Sequence, residues 1–338
     1  MMKKLNWFHK TLFLVNSVFA FLLLLSLLVP YVPIKSFPKI AIFSLATPIL
    51  IILNILFMGY WIIRLKKQWL LSFFVLLLGY QQVASLYKFS GKQNVATSSA
   101  LKVMTYNVRV FDVYKWIGKD GVFDDILGVI KQENPDILCL QEFYYTKEKA
   151  FKFYPYRFVK YKTKETGQAI YSKFPIINKG SLNFPNSGNN AIYADIVKDN
   201  DTIRVYNLHM QSFHINPQDE EISQENSGRL ARRMGAVFSK QQIQTNIFVS
   251  HKEKCPYKTI TCGDLNNNQY SAIYNQIKGN DVDTFDEQGS GTGKTYYFKY
   301  FPFRIDFILV DEAIPVISHK NRYELLSDHY PVISQLKI

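Results

Sequence analysis

The first hundred residues contain no aspartate and no glutamate. A soluble domain carries carboxylates throughout, so this absence alone sets residues 1–100 apart from the rest of the 338-residue chain. Ten basic side chains lie in that stretch (Lys3, Lys4, Lys10, Lys35, Lys39, Arg64, Lys66, Lys67, Lys88 and Lys92), which leaves 30 basic against 27 acidic residues in 101–338. The formal net charge of +13 is therefore mostly an N-terminal property and does not by itself argue for a nucleic-acid partner. Cysteine is also scarce: three residues, an odd number, with no C-x-x-C pair, which excludes a zinc ribbon and a disulfide framework. Cys139 and Cys262 fall in apolar runs that read as core strands, and Cys255 precedes Pro256 in a loop. No internal repeat or long low-complexity tract is present. With 48% apolar and 20% charged residues, the chain can bury a substantial core and is not a disordered one.

What the N-terminal stretch does contain is uninterrupted hydrophobic sequence. Residues 11–34, 40–63 and 68–87 form charge-free runs of 24, 24 and 20 residues. At 1.5 Å of rise per residue, about 20 residues cross a hydrocarbon core of roughly 30 Å. Residues 1–90 are therefore read as an α-helical membrane segment of about three helices, and the lipid bilayer is an expected partner. The third run is the weakest, because Gln81 and Gln82 follow its apolar portion; an interfacial helix is the alternative there. The first run is too long for a signal peptide, shows no small-residue cleavage site and is followed by further spans. Basic residues number three at the N-terminus and three in the connection at 64–67, against two at each other flank. That bias favours a cytoplasmic N-terminus and, with three spans, a following domain on the outer face of a bacterial-type inner membrane. With only two spans the assignment inverts.

Residues 91–100 (GKQNVATSSA) are a small polar linker, and 101–338 form one sizeable domain. Its texture is short β-rich runs ending in polar residues (LKVMTYNVR, DILCLQE, TIRVYNLHM, KTITCGDLN, FRIDFILV), with helical patterns at Phe123 to Glu133 and Ser227 to about Ser250. Strands alternating with helices predict a layered α/β domain whose chemistry sits at the strand ends. Those ends present Asn107, Glu142, Asn207, His209, Asp264, Asn266, Asp306, Asp328 and His329. A lone Asn or Asp after a strand is usually a turn residue, but this many strand ends supplying carboxylate, amide or imidazole point to a site. An oxygen-rich set without thiolate suits Mg²⁺ or Mn²⁺, ions that polarise phosphoryl oxygens and activate water.

In their order, TYNVR, LQE, NLHMQS, GDLN, RIDFIL and SDHYPV resemble the motifs of the endonuclease/exonuclease/phosphatase superfamily, the deoxyribonuclease I-like fold. The resemblance covers Leu101 to the C-terminus. It implies a four-layer α/β sandwich, two packed mixed sheets flanked by helices, preceded here by the membrane segment. It further implies Glu142 as the main metal ligand, with Asn107 close to the same ion and Asp328 supporting metal or water. Asp264 is expected to orient or deprotonate the attacking water, and Asn266 to bond the phosphate or the nucleophile. His329 is expected to contact the phosphoryl group, paired with Asp306. His209 stands where repair-type nucleases usually bear Tyr and where the deoxyribonuclease I, sphingomyelinase and phosphatase branches use His. Asn207 and, more remotely, Arg229 are candidates for substrate contact. Phe303-Arg304-Ile305-Asp306 departs from the inositol phosphatase pattern, so that specificity is not implied.

The expected activity is a membrane-anchored, Mg²⁺- or Mn²⁺-dependent phosphoester hydrolase acting on a phospholipid headgroup, a nucleotide or DNA, with no obligate protein partner evident. A nonspecific metal-dependent nuclease and a catalytically weak membrane binding protein are the alternatives. Gly289 to Thr295 (GSGTGKT) looks like a phosphate loop but is one residue short and leads into an aromatic run, so it reads as a glycine-rich turn. Phe143 to Lys164 interleaves nine aromatic with seven basic residues. Base stacking, a membrane-facing patch, and a plain edge with rings inward and charges solvated all remain open for it.

Overall fold

The computed structural model describes residues 5–89, 100–213, 224–298 and 301–338. Most of the predicted linker, 91–99, lies outside the described residues. The chain divides into a helical unit (1–87, 216–239 and 269–275) and a second unit (88–215, 240–268 and 276–338).

The helical unit opens with α1 (Trp7–Leu28), capped by Asn6, whose side chain accepts the His9 amide at 2.9 Å. It continues with α2 (Phe43–Ile63), α3 (Trp69–Leu78) and α4 (Tyr80–Ala84). The stretches Trp7–Tyr31 and Ile40–Ile63, of mean hydropathy 2.7 and 2.5, are long and apolar enough to cross a membrane. The third predicted run is broken at Gly79, where an added Cβ would lie 2.8 Å from Leu27, so α3 and α4 meet at a close approach to α1.

This unit joins an apolar core to buried polar groups and an apolar outer surface. Large apolar side chains point outward, among them Phe21, Leu56 and Leu78 at 59, 62 and 74% exposure, while Asn16, Ser44, Thr47, Asn54 and Ser72 are fully buried. Ser44 and Thr47 bond the Ala41 and Phe43 carbonyls of their own turns, while Asn16, Ser72 and Asn54 bond across helices. Asn16 Nδ2 donates to Ser72 Oγ at 2.8 Å, Trp61 Nε1 donates to Asn16 Oδ1 at 3.0 Å, and Asn54 Nδ2 reaches the Phe19 carbonyl at 3.2 Å. Interhelical hydrogen bonds between small polar side chains are the glue that helices use where lipid tails leave no hydrophobic gradient.

The second unit is the expected sandwich. One sheet has the order β11-β12-β1-β2-β4-β3 and contains β1 (Leu101–Asn107), β2 (Ile137–Tyr144), β3 (Tyr156–Tyr161), β4 (Thr166–Ser172), β11 (Val316–Asn321) and β12 (Val332–Leu336). The other has the order β5-β6-β7-β8-β10-β9, from β5 (Ile176–Ser181), β6 (Asn190–Lys198), β7 (Asp201–His209), β8 (Lys258–Asp264), β9 (Val282–Asp283) and β10 (Asp306–Val310). Both are mixed, with β1 parallel to β2 and β7 parallel to β8.

Alternation along each strand sends one set of side chains between the sheets and the other beneath the helices. Val103, Ile137, Cys139 and Ile170 meet Ala194, Val205, Ile260 and Cys262 in the inter-sheet core. Met104, Tyr106, Leu138 and Leu140 face outward, where α5 (Val122–Glu133) covers them with Val122, Ile126, Val129 and Ile130, a helical spacing. The long α6 (Gln224–Lys252) runs through both units, as does α7 (Ala272–Lys278); the short α8 (Thr284–Gln288) precedes β10. The basic-aromatic stretch divides its rings between core and surface. Phe143, Phe151 and Tyr154 are buried with Tyr171 in the outer core, while Tyr145, Phe153 and Tyr156 keep exposed faces.

Glu133 locks α5 to the sheet. Its carboxylate, 4% exposed, receives Lys102 at 3.0 Å, Lys320 at 2.8 Å and Arg322 at 2.8 Å. Burial works to raise its pKa, but hydrogen bonds from Lys320, Arg322 and Lys102 outweigh burial and lower it to about 2. A depressed folded-state pKa means stability that is present above the unfolded value near 4.5 and is lost as pH falls toward 2. Glu133→Gln is therefore expected to destabilise the chain by roughly 2 kcal/mol at pH 7, because three cations lose their counter-charge. In thermal melts, the gap between wild type and variant should narrow progressively from pH 5 to pH 2.

Candidate active site

The catalytic candidates converge because three strands end in register. In the second sheet His209 pairs with Asp264, and Asp264 with Asp306, so the ends of β7, β8 and β10 place the three on adjacent rungs. In the first sheet Asn107 ends β1 opposite Gln141 of β2. The two edges meet where Asn107 Nδ2 donates to Asp264 Oδ2 at 3.0 Å.

Glu142 reaches this point through a bulge. Leu140 and Phe143 both pack in the outer core although three positions apart, so β2 holds one extra residue between them, and the pairing with β4 shifts register there. Glu142 takes up the bulge in a left-handed conformation (φ 51°). Its carboxylate lies 3.5 Å from Asn107 Nδ2 and 3.8 Å from His209 Nε2. The glycine before Asp264 is equally constrained. A Cβ on Gly263 (φ +136°) would fall 2.0 Å from the Leu208 carbonyl oxygen, so β7 and β8 approach this closely only with glycine there.

Asp264 is the hub. Its Oδ1 accepts the Asn266 amide at 2.7 Å, its Oδ2 accepts Asn266 Nδ2 at 3.1 Å, and His209 and His329 Nε2 stand 3.6 and 3.7 Å from Oδ2. Burial, opposed by His329 and assisted by the Asp306 charge, pushes its pKa up to about 7. His329 Nδ1 lies 2.9 Å from Asp306 Oδ2, and Asp306 is held by Thr295 Oγ1, which accepts its amide at 3.0 Å. Burial disfavours the charged His329 ring, but the Asp306 and Asp264 carboxylates overcome that and hold its pKa well above the ordinary histidine value. Glu142 is raised by desolvation and then by Asp328, whose own carboxylate pairs with Arg109 Nη1 at 3.2 Å.

Four carboxylates thus surround one cleft with Arg109 and two imidazoles as counter-charge, and desolvation with mutual repulsion raises two of them. That excess of hard oxygen donors fits a divalent cation. Glu142, with Asn107 and Asp328 beside it, supplies one such donor set. A second is Asp264, Asp306 and His329, whose ligating atoms lie within 4.8 Å of one another. The hydrogen bond of His329 Nδ1 to Asp306 favours the first set for the ion and an ion-pair role for the second.

Two sequence candidates stand elsewhere. Asn207 is fully buried between the sheets, donating to the Leu140 and Ala169 carbonyls at 2.9 and 3.0 Å and accepting Gln141 Nε2 at 2.7 Å. Arg229 is exposed on α6 and belongs to the helical unit. Conversely, two residues at the cleft escaped the sequence reading. Arg109 to Asp112 are four successive left-handed residues (φ 40–57°), none a glycine, seated by Phe111 against Phe123 and Phe143. They lay the Arg109 guanidinium 4.1 Å from the Trp116 ring centre. Tyr296 meets the His329 ring edge-to-face at 5.1 Å, and burial together with the Asp328 charge pushes its phenol up to about 12. The position of Arg109 inside the TYNVR motif was its only signal. The glycine-rich turn is structural, since Cβ atoms on Gly289 and Gly293 would both strike Phe285.

A two-sheet sandwich whose facing strand ends gather carboxylates, amides and a carboxylate-paired histidine defines the metal-dependent phosphoesterase type of fold and site. The chain belongs to the endonuclease/exonuclease/phosphatase family, whose model matches residues 104–329. Residues 9–86 match a domain of unknown function, DUF8431. No curated protein matches the chain. Among solved structures it is similar to a humanized TDP2 of D. rerio (14% identity, TM-score 0.56, 71% of this chain and 100% of that one). The human Nocturnin catalytic domain is also similar (15%, 0.53, 72% and 96%). A third is an endonuclease/exonuclease/phosphatase protein of Beutenbergia cavernae (16%, 0.53, 71% and 72%). At these identities the likeness is one of fold.

Asp306→Asn removes the carboxylate that favours the His329 imidazolium. The His329 titration, followed by imidazole NMR in metal-free protein, is expected to move to lower pH, and an unmoved titration would contradict the ion-pair assignment.

Proposed function

We propose that this chain is a membrane-anchored, divalent-metal-dependent phosphoester hydrolase. The observation that carries the reading is the register of His209, Asp264 and Asp306 on adjacent rungs, with His329 and Glu142 closing over them. An ion held by Glu142, Asn107 and Asp328 would polarise the phosphoryl group and favour ionisation of water. Asp264, its second oxygen steadied by Asn266, accepts a proton from the attacking water as the new O–P bond forms. His329, kept charged by Asp306, offsets negative charge on the nonbridging oxygens. His209, 3.6 Å from Asp264 and beside Glu142, is placed to return a proton to the leaving oxygen as the old P–O bond breaks. Water thus ends divided between the phosphoryl product and the leaving alcohol, with no covalent enzyme intermediate. The substrate is read only as a phosphoester: a phospholipid headgroup, a nucleotide or DNA.

The anchor reading rests on the apolar outer surface of the helical unit. The His9 and Trp61 rings lie 5.8 Å apart, so α1 and α2 are antiparallel and Lys10, Arg64, Lys66 and Lys67 gather at one end. The Asn16–Ser72 bond and the Leu27–Gly79 approach run α3 and α4 alongside α1 toward the other end. We read that basic end as cytoplasmic, which with three crossings supports a catalytic domain on the outer face; with only the two long helices crossing, the side inverts.

With the full chain in lipid nanodiscs, release from plasmid DNA, bis-p-nitrophenyl phosphate and phospholipid is expected with Mg²⁺ or Mn²⁺. It should be lost in EDTA and reduced at least about 100-fold in Glu142→Ala or His329→Ala. Undiminished hydrolysis in EDTA sinks the mechanism, and cleavage of DNA without lipid turnover makes the enzyme a nuclease. A Ser98→Cys probe in a Cys255→Ser background should react with an impermeant reagent on intact cells; reaction only after permeabilisation refutes the orientation.

A further inference from the structure

Asp306 and His329 meet from different sheets. Asp306 opens β10, whose neighbours are β8 and β9, while His329 lies just ahead of β12, whose neighbours are β11 and β1. No pairing of β10 with β12 therefore sets the spacing of their ion pair, 2.9 Å from His329 Nδ1 to Asp306 Oδ2. The residues that follow the glycine-rich turn are bonded to both sides. Toward β10, the Thr295 and Tyr296 amides donate to the Phe303 carbonyl at 2.9 and 3.1 Å. Thr295 Oγ1 accepts the Ile305 and Asp306 amides at 2.9 and 3.0 Å. Toward β12, the Thr295 carbonyl accepts the Tyr330 amide at 2.7 Å, and the Tyr297 amide donates to the Asp328 carbonyl at 2.6 Å.

The turn is seated where β10 begins. Cβ atoms on Gly289 and Gly293 would lie 2.2 and 2.5 Å from the Phe285 ring, so the turn closes over that ring only with glycine at both places. Phe285 is held in turn by Asp283, the cap of α8, which accepts its amide at 2.9 Å and pairs with the buried Arg304 at 2.5 Å. The Arg304 guanidinium lies 4.6 Å from the Phe285 ring centre. Thr295, 1% exposed, leaves this seat with its hydroxyl aimed at the first amides of β10.

We infer that Thr295 is a positioning residue: as a buried clip between the two sheets, it sets the separation of Asp306 from His329. Its bonds end on Asp306 itself and on Tyr330, the neighbour of His329, so a displacement of Thr295 passes directly to the pair. Replacing its oxygen by carbon leaves two buried amides without their acceptor. Misplacement by about 1 Å is enough to cost roughly 100-fold in rate. The kinetic part of the inference rests on the hydrolase reading; the structural part does not.

The test uses the full chain in nanodiscs, with hydrogen exchange of peptides covering 303–307 and, as control, β7. Thr295→Val keeps the shape of the side chain and removes the acceptor, so exchange at 303–307 is expected to speed while β7 stays unchanged. With Mg²⁺ present, kcat should fall roughly 10–100-fold at a KM within about twofold of wild type. Thr295→Ser, which keeps the hydroxyl, should restore both. In a His329→Ala background, Thr295→Val is expected to cost less than about threefold, since the pair it spaces is gone. A loss as large there as in wild type marks a merely structural role and overturns the inference. Unchanged exchange at 303–307 in a folded variant also overturns it, as does a KM effect with kcat untouched. Should Thr295→Val fail to fold, Thr295→Ala removes the same acceptor in a smaller side chain, and the same outcomes apply. A wild-type chain that turns over no phosphoester defeats the hydrolase reading and leaves the exchange outcome to judge the clip.

Discussion

The side-chain amide of Asn207 bridges the two sheets. Its two N–H groups go to the Leu140 and Ala169 carbonyls of the opposite sheet, while its oxygen takes Gln141 and its backbone carbonyl takes Gln168 at 2.9 Å. These four hydrogen bonds, all buried, pin one sheet against the other in a single register. Everything at the cleft follows from that alignment. His209 stands two residues further along the same strand, and Glu142 one residue beyond Gln141, so both are carried to the point where Asn107 reaches Asp264.

This explains which parts of the site were legible in the sequence. Residues at the ends of regular strands (Asn107, His209, Asp264, Asp306) are placed by alternation and pairing, and their order in the chain was enough to find them. Asn207 shares the face of His209 but lies two residues further back along β7, between the sheets. A polar residue on an inward rung has the same composition whether it serves chemistry or holds sheets together, and only its partners decide. Glu142 was legible by motif, although the bulge that aims it was not. Arg109 was hidden more deeply, because four consecutive left-handed residues without glycine contradict local propensity and persist only through the packing of Phe111.

Boundaries were harder than elements. Charge-free length identified the helices well, with α1 and α2 close to the expected runs, yet composition did not reveal the break at Gly79. Nor did it reveal that the described part of 216–239 and residues 269–275 group with the N-terminal helices. Sequence proximity to GDLN argued for the catalytic unit, whereas burial of Tyr270 among Ile51 and Leu76 decides otherwise. The helical unit also departs from the ordinary rule of burial: several amides and hydroxyls are buried beside its apolar core, while many leucines and phenylalanines lie on its outside.

The placement of His209, Asp264 and Asp306 on neighbouring rungs bears on how such a chain can change. Side chains on a strand alternate faces, so inserting or deleting one residue within β7, β8 or β10 would send a catalytic group to the far side of the sheet. A change of length that keeps this site is consequently confined to the connections, while these three strands tolerate substitution only. The Arg109–Trp116 turn lies in such a connection, so its length and shape can change while the spacing of the three strand ends stays fixed.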